Sequence, residues 1–306
     1  MISFRYHLVS IIAVFLALAL GIVVGTTALN GPITKDLRRQ VNAARTQRDA
    51  YAQQVKVLHS ELSDAGQFAA TYGSELVKGT LAGKTVLIIN LPGATSGTQD
   101  GIGTLLKAAG AKIGGRVSIT PEYLDPSRGG GITSLATGPA HPVGLTLPET
   151  SNAADLGGAL LAYVLLGKGR QTDLSQVLGG FSELHMITVA GSAGVTPGTA
   201  VVVSAKGSQP TNSYRSSAEL ALVDALAHAG GHVVVAGDPG AATAGGLVAA
   251  VRNTGGSRGV VASVDDANNS LGQVSSVLAL SAAISGQIGQ YGTKNGADAL
   301  FPPPAR

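Results

Sequence analysis

The sequence predicts an α/β protein: an N-terminal transmembrane helix, a long coiled-coil helix, then a doubly wound, mostly parallel α/β head. Three observations carry this. Residues 8–34 contain no charged side chain. Residues 37–76 repeat apolar positions in a 4-3 alternation. Beyond Lys84, short apolar runs alternate with helix-like runs, the pattern of a parallel sheet covered on both faces. The expected domains are a transmembrane signal anchor at 1–30, a coiled-coil stalk at 33–79, an α/β extracytoplasmic domain at 84–290 and a flexible tail at 291–306.

The first element reads LVSIIAVFLALALGIVVGTTAL from Leu8 to Leu29. About 20 residues cross a bilayer core, and a secretory signal has a shorter apolar region. Thr26-Thr27-Ala28 offers a poor cleavage site, so an uncleaved anchor is expected. Ala13, Ala17, Gly21 and Gly25 recur every four residues. Such a stripe lets two helices approach closely in lipid, though Ala and Gly are common in membrane helices and in this chain. Arg5 precedes the span while Lys35, Arg38 and Arg39 follow it, so charge alone leaves orientation open.

Asn30-Gly31-Pro32 is expected to break the first helix. The seam that follows comprises Leu37, Val41, Ala44, Arg48, Tyr51, Val55, Leu58, Leu62, Ala65, Ala69, Tyr72 and Leu76. Only Arg48 is charged. Six sustained heptads point to a left-handed coiled coil, about 65–70 Å long at the helical rise. A homodimer paired through Leu37, Val41, Ala44, Tyr51, Val55, Leu58 and Leu62 is expected, and one span directly before the seam favours parallel pairing. The alternative is a helix lying on the head, with the seam as ordinary core. Gly66 and Gly73 weaken the helix late on and are expected to let its end fray.

In the head, strands are expected at Thr85–Asn90, Val117–Thr120, Met186–Ala190, Thr199–Ser204, His232–Ala236 and Val260–Val264. Helices are expected at Gly101–Ala111, Ser151–Gly167, Leu174–Leu184, Ser216–Ala229, Ala244–Asn253 and Leu271–Ile284. The Gly- and Pro-rich stretch Pro121–Pro148 reads as a long irregular loop. About six strands make the order doubly wound rather than barrel-like. Gly191, Gly237 and Asp238 follow strands at the carboxyl edge, where such sheets place ligands.

Composition narrows function. With no Cys, disulfides, thiolate metal sites and a Cys nucleophile are excluded. Between Lys35 and Lys56 six basic residues stand against two acids. That collar suits a solvated helix face or anionic headgroups. There is no broad basic surface with interleaved aromatic residues, which argues against nucleic acid as a partner.

Catalytic motifs fail on context. Gly79-Thr80-Leu81-Ala82-Gly83-Lys84-Thr85 has three residues between its glycines and precedes a strand, whereas a P-loop has four and follows one. After the first strand, Gly93, Gly97, Gly101 and Gly103 form no GxGxxG, so a phosphate cradle there carries little weight. Ala190-Gly191-Ser192-Ala193-Gly194 misses the GxSxG elbow at its first position. No catalytic residue and no cofactor is expected. For metals, Gly230-Gly231 separates His228 from His232. His185 and Met186 are weak candidates, adjacent on an expected strand and so on opposite faces. Soft copper sites want Cys or Met clusters.

Met1-Ile2-Ser3-Phe4-Arg5-Tyr6-His7-Leu8-Val9-Ser10, the span with Ala19-Leu20-Gly21-Ile22, the heptad stalk and the head together resemble the actinobacterial copper transporter MctB family, over nearly the full length. That family includes the corynebacterial septum protein SteB. The resemblance implies a cell-envelope protein with its head outside the cytoplasmic membrane. It implies either copper efflux or homeostasis, or partnership with the cytoplasmic protein SteA in cell separation and control of peptidoglycan hydrolysis. A channel needs several spans or a closed barrel of alternating strands. One apolar helix supplies neither unless it oligomerises, and the copper ligand set is poor. The residues therefore favour a non-enzymatic dimeric scaffold linking the two sides of the membrane.

Overall fold

A computed structural model describes residues 4–190, 194–207 and 213–303, with 27–34 and 213 described by backbone only. The chain divides into two units, residues 1–63 and 64–306.

Among its described residues the first unit is helix. Helix α1 runs Phe4–Val77, so the expected break at Asn30-Gly31-Pro32 does not occur. A mid-helix proline costs about 3 kcal/mol through one lost hydrogen bond and a ring clash. Helix-forming sequence on both sides outweighs that cost. Residues Phe4–Thr26 form one segment long and apolar enough to cross a membrane.

The second unit contains the last turns of α1 and the head. Its elements in order are β1 (Thr85–Asn90), α2 (Ser96–Ala108), β2 (Lys112–Ile119), α3 (Gly129–Thr137), α4 (Ala153–Leu165), α5 (Gln171–Glu183), β3 (Ile187–Ala190) and β4 (Ala200–Ala205). Then follow α6 (Ser213–His228), β5 (His232–Gly237), α7 (Leu247–Asn253), α8 (Gly255–Arg258), β6 (Val261–Val264), α9 (Ser270–Ile284) and β7 (Gln290–Tyr291). The seven described strands order as β3-β2-β1-β4-β5-β6-β7. All pairs are parallel except β2 with β3.

Each central strand is apolar on both faces because helices cover both. Leu87, Ile89, Val201 and Val203 face a core completed by Leu160, Phe181 and Leu222. Val86, Ile88, Val202 and Val234 face a second core with Ile102, Leu106, Val277 and Leu280. Small residues set the spacing, as the aromatic-poor composition requires. A Cβ on Gly158 of α4 would lie 3.0 Å from the Ala221 carbonyl oxygen of α6.

Four expectations need correction. The end of α1 does not fray: Ala69 and Val77 are buried in the second core, and Gly73 lets Val274 and Leu105 close against the helix. The stretch Pro121–Pro148 is not one irregular loop, since Gly129–Thr137 is helical and buries Ile132 and Ala136. The register of its apolar residues was hidden by flanking Gly and Pro. His185 and Met186 precede β3 rather than lying on it, with His185 in the left-handed region at φ 59°.

The tail from 291 is held in place through residue 299. Tyr291 belongs to β7 and bridges to Ala299. Arg258 and Asp298 pair across it. Polar bonds, which apolar periodicity does not reveal, hold this segment.

Candidate functional site

Helix α1 carries two of the expected surfaces. On the apolar segment, Ala13, Ala17 and Gly21 are exposed and Gly25 is half-buried. A Cβ at Gly21 or Gly25 would meet nothing within 4 Å. Further along, Leu37, Val41, Tyr51, Val55, Leu58 and Leu62 are all exposed, with Leu58 at 62%, and so is Ala44. That number matters because an isolated row of apolar side chains on a solvated helix costs free energy unless something covers it. Arg48, the charged seam member, bonds its neighbour Asp49 through Nη2 at 2.6 Å.

The seam does not continue into the head as one stripe. The face packed on the head is Ala69, Gly73 and Val77, four residues apart, while the seam residues Tyr72 and Leu76 stay exposed.

His185 and Met186 do not converge. His185 is exposed and Met186 is buried in the first core. Among the described residues no three His, Cys, Asp or Glu side chains gather to hold a metal ion. His228 ends α6, with its Nδ1 2.8 Å from the Asp224 carbonyl. Gly191 and the Gly191-Ser192-Ala193 part of the near-elbow lie outside the described residues.

A groove of about 770 Å³ runs between α4 and α6 beneath residues 144–148. Ala159, Ala162, Tyr163, Ala225 and Leu147 make its walls. Asp224 stands at it with one oxygen accepting from Ser257 Oγ at 2.8 Å. The other oxygen is buried without a partner, and burial raises the carboxyl above its usual range. Chemically, the groove suits an apolar group beside one carboxyl. The sequence hid it because its roof lies in the Gly/Pro-rich stretch.

The carboxyl edge of the sheet carries a polar row. Asn90 ends β1 and stands in register with Ser118 of β2 and Ser204 of β4. Asn90 Nδ2 donates to Ser118 Oγ at 3.3 Å. Asp238 sits beside it after β5, accepting from Gly207 N at 2.8 Å and Ala241 N at 2.9 Å. A polar residue closing an apolar strand, as in TVLIIN, is the sequence mark of such a position.

The fold defines the class: an α/β head of doubly wound order, preceded by one apolar helix long enough to span a membrane. The sequence model of the family described as "Copper transport outer membrane protein, MctB" matches residues 1–302, and the chain belongs to the MctB family. Among proteins it is similar to are the copper transporters MctB of Mycobacterium tuberculosis and Mycobacterium bovis, each 30% identical over 97% of this chain and 98% of theirs. The copper transporter MctB of Mycobacterium leprae is 27% identical over 99% of this chain and its own full length. Family and apolar helix together make this a membrane-anchored envelope protein.

Proposed function

We propose that the protein is a non-enzymatic scaffold of the cell envelope, paired through α1, with its head outside the cytoplasmic membrane. The observation that carries this reading is the row of exposed apolar side chains from Leu37 to Leu62 on one continuous helix. Covering a heptad seam with its own copy is the usual way such a row is satisfied. In this reading any part in copper transport, the activity the relatives' names state, is indirect. The chain organises partners and does not itself form the ion's path. One such partner is a SteA-like cytoplasmic protein, meeting the end of the chain before the span, with cell separation and peptidoglycan hydrolysis as the output.

The Cys-free chain makes the test clean. Single substitutions Val55→Cys and Leu62→Cys, oxidised in native membranes, give disulfide-linked dimers, and Gln53→Cys on the outer face does not. Adding Leu58→Asn abolishes the Leu62→Cys product. Equal cross-linking at all three positions, or none at any, rejects the pairing.

A second reading takes its support from the relatives' names: the chain itself binds and moves copper. It requires tight copper binding by the purified full chain, weakened by His185→Ala or Met186→Leu. Absence of micromolar binding in equilibrium dialysis counts against it.

A further inference from the structure

The polar row at the carboxyl edge is incomplete. Asn90 Oδ1 and Ser204 Oγ are buried and have no hydrogen-bond partner. Asn90 is 3% exposed and Ser204 1%. An unpaired buried polar atom is costly, so two on adjacent strands call for an explanation. They sit where the strand order reverses. From β1 the chain moves outward to β2 and β3, then returns to β4 on the other side of β1. Ligands of open parallel sheets bind in that crevice.

Three further features lie on the segments that follow β1 and β4. The turn after β1 passes through Gly93 at φ 91° and leads into α2. The N-cap residue Thr95 gives the helix no side-chain cap. Its hydroxyl lies 2.9 Å from the Thr98 hydroxyl, so the amides of the first turn are left to the surroundings. Ser96 and Gly97 are exposed, and a Cβ on Gly97 would meet nothing within 4 Å. After β4, Lys206 lays its chain along the turn, with Cδ 3.5 Å from where a Gly93 Cβ would stand. Lys206 is exposed. The nearby cation Arg116 and anion Asp100 are paired at 3.3 Å, and Asp238 is occupied by two backbone amides. Arg215 holds the turn from behind, donating to the Pro92 carbonyl at 2.7 Å.

We infer that this crevice binds a phosphate group, with the α2 amides and Lys206 taking its oxygens and Ser204 and Asn90 completing the floor. Uncapped helix amides carry partial positive charge and suit an anion, and the ammonium adds a charge-assisted bond. The same chemistry would be offered by free phosphate or by a phosphate monoester. This inference is independent of pairing through α1.

The test uses the full chain in detergent micelles, with Lys206→Gln and Ser204→Ala as variants. Equilibrium dialysis against radiolabelled inorganic phosphate is run at constant ionic strength set with chloride. Saturable uptake is expected, at least about tenfold weaker in Lys206→Gln, because one charge-assisted bond is lost. Ser204→Ala is expected to weaken it too, which separates a site at the crevice from attraction to surface charge. Competition with glycerol 3-phosphate and adenosine 5′-monophosphate then separates the sources. Displacement by either ester at lower concentration than by unlabelled phosphate identifies a monoester, and displacement by neither better than by phosphate itself identifies free phosphate. No saturable uptake by the parent chain, or unchanged uptake in both variants, overturns the inference.

Discussion

Arg252 Nη1 donates to Asp265 Oδ2 at 2.8 Å, and both side chains are buried, at 1% and 0% exposure. The pair is the centre of a clasp. Arg252 also donates to the Tyr291 carbonyl at 2.7 Å and to Ser263 Oγ at 3.1 Å. Asp265 accepts from the amides of Thr293 and Lys294, each at 2.9 Å. Every charged atom is answered, which is the condition under which a buried ion pair is tolerated.

Removing one partner therefore strands the other. Arg252→Met is expected to cost about 3–5 kcal/mol, the range for breaking a buried pair from one side. Thermal unfolding of the full chain measures it. Hydrogen exchange at Thr293 and Lys294 is expected to rise in the same variant. A cost near zero would mean the clasp is replaceable by apolar packing.

Stability should fall with rising pH in the mildly acid range. Burial, then the charge of neighbouring Asp265, pushes the Asp266 carboxyl up to about 6. The folded chain thus holds this proton more tightly than the unfolded chain, whose value lies near 3.9. The contribution is complete below about pH 4 and lost as pH climbs through 6. Asp266→Asn is expected to flatten that stretch of the stability profile, read from denaturant midpoints at half-unit steps.

Two glycines of one helix should respond with opposite sign. A Cβ at Gly66 meets nothing within 4 Å, and one at Gly73 lands 2.7 Å from Val274 Cγ2. Gly66→Ala should stabilise by up to about 1 kcal/mol, the helix-propensity difference. Gly73→Ala should destabilise by about 1–3 kcal/mol, the usual range for overpacking. Melting temperatures of the two variants, measured side by side, decide.

Arg48 is the polar interruption of the apolar seam. If copies pair there, Arg48→Leu should tighten association, because a polar residue at such a position trades stability for register. Concentration-dependent unfolding or cross-linking yield measures the gain. An unchanged yield would place Arg48 outside the contact.

Much of the head was readable because buried parallel strands are uniform. TVLIIN at Thr85–Asn90 matched β1 residue for residue, and Leu271–Ile284 fell one residue short of α9. Where apolar runs are diluted, reading failed. Gly129–Thr137 begins with three glycines yet is helical. Its stability comes from Ile132 and Ala136 meeting the core, a tertiary effect that propensity does not contain. The turn before α2 shows the same limit for the site. Gly93 and Gly97 match no phosphate motif, and the residue beside Gly93, Lys206, follows more than a hundred residues later in the chain. The antiparallel β3 edge and the clasp at 290–298 rest on pairings between distant segments, which local pattern cannot encode.

The clasp also sets an order of closure. Its acceptors and donors, from Tyr291 to Lys294, follow Arg252 and Asp265 in the chain and complete the bonds of both. Until they arrive, both charges keep unanswered atoms and the β6 edge lacks its neighbour. Residues 290–294 thereby act as a latch, finishing the sheet edge at β7 and the buried ion pair together.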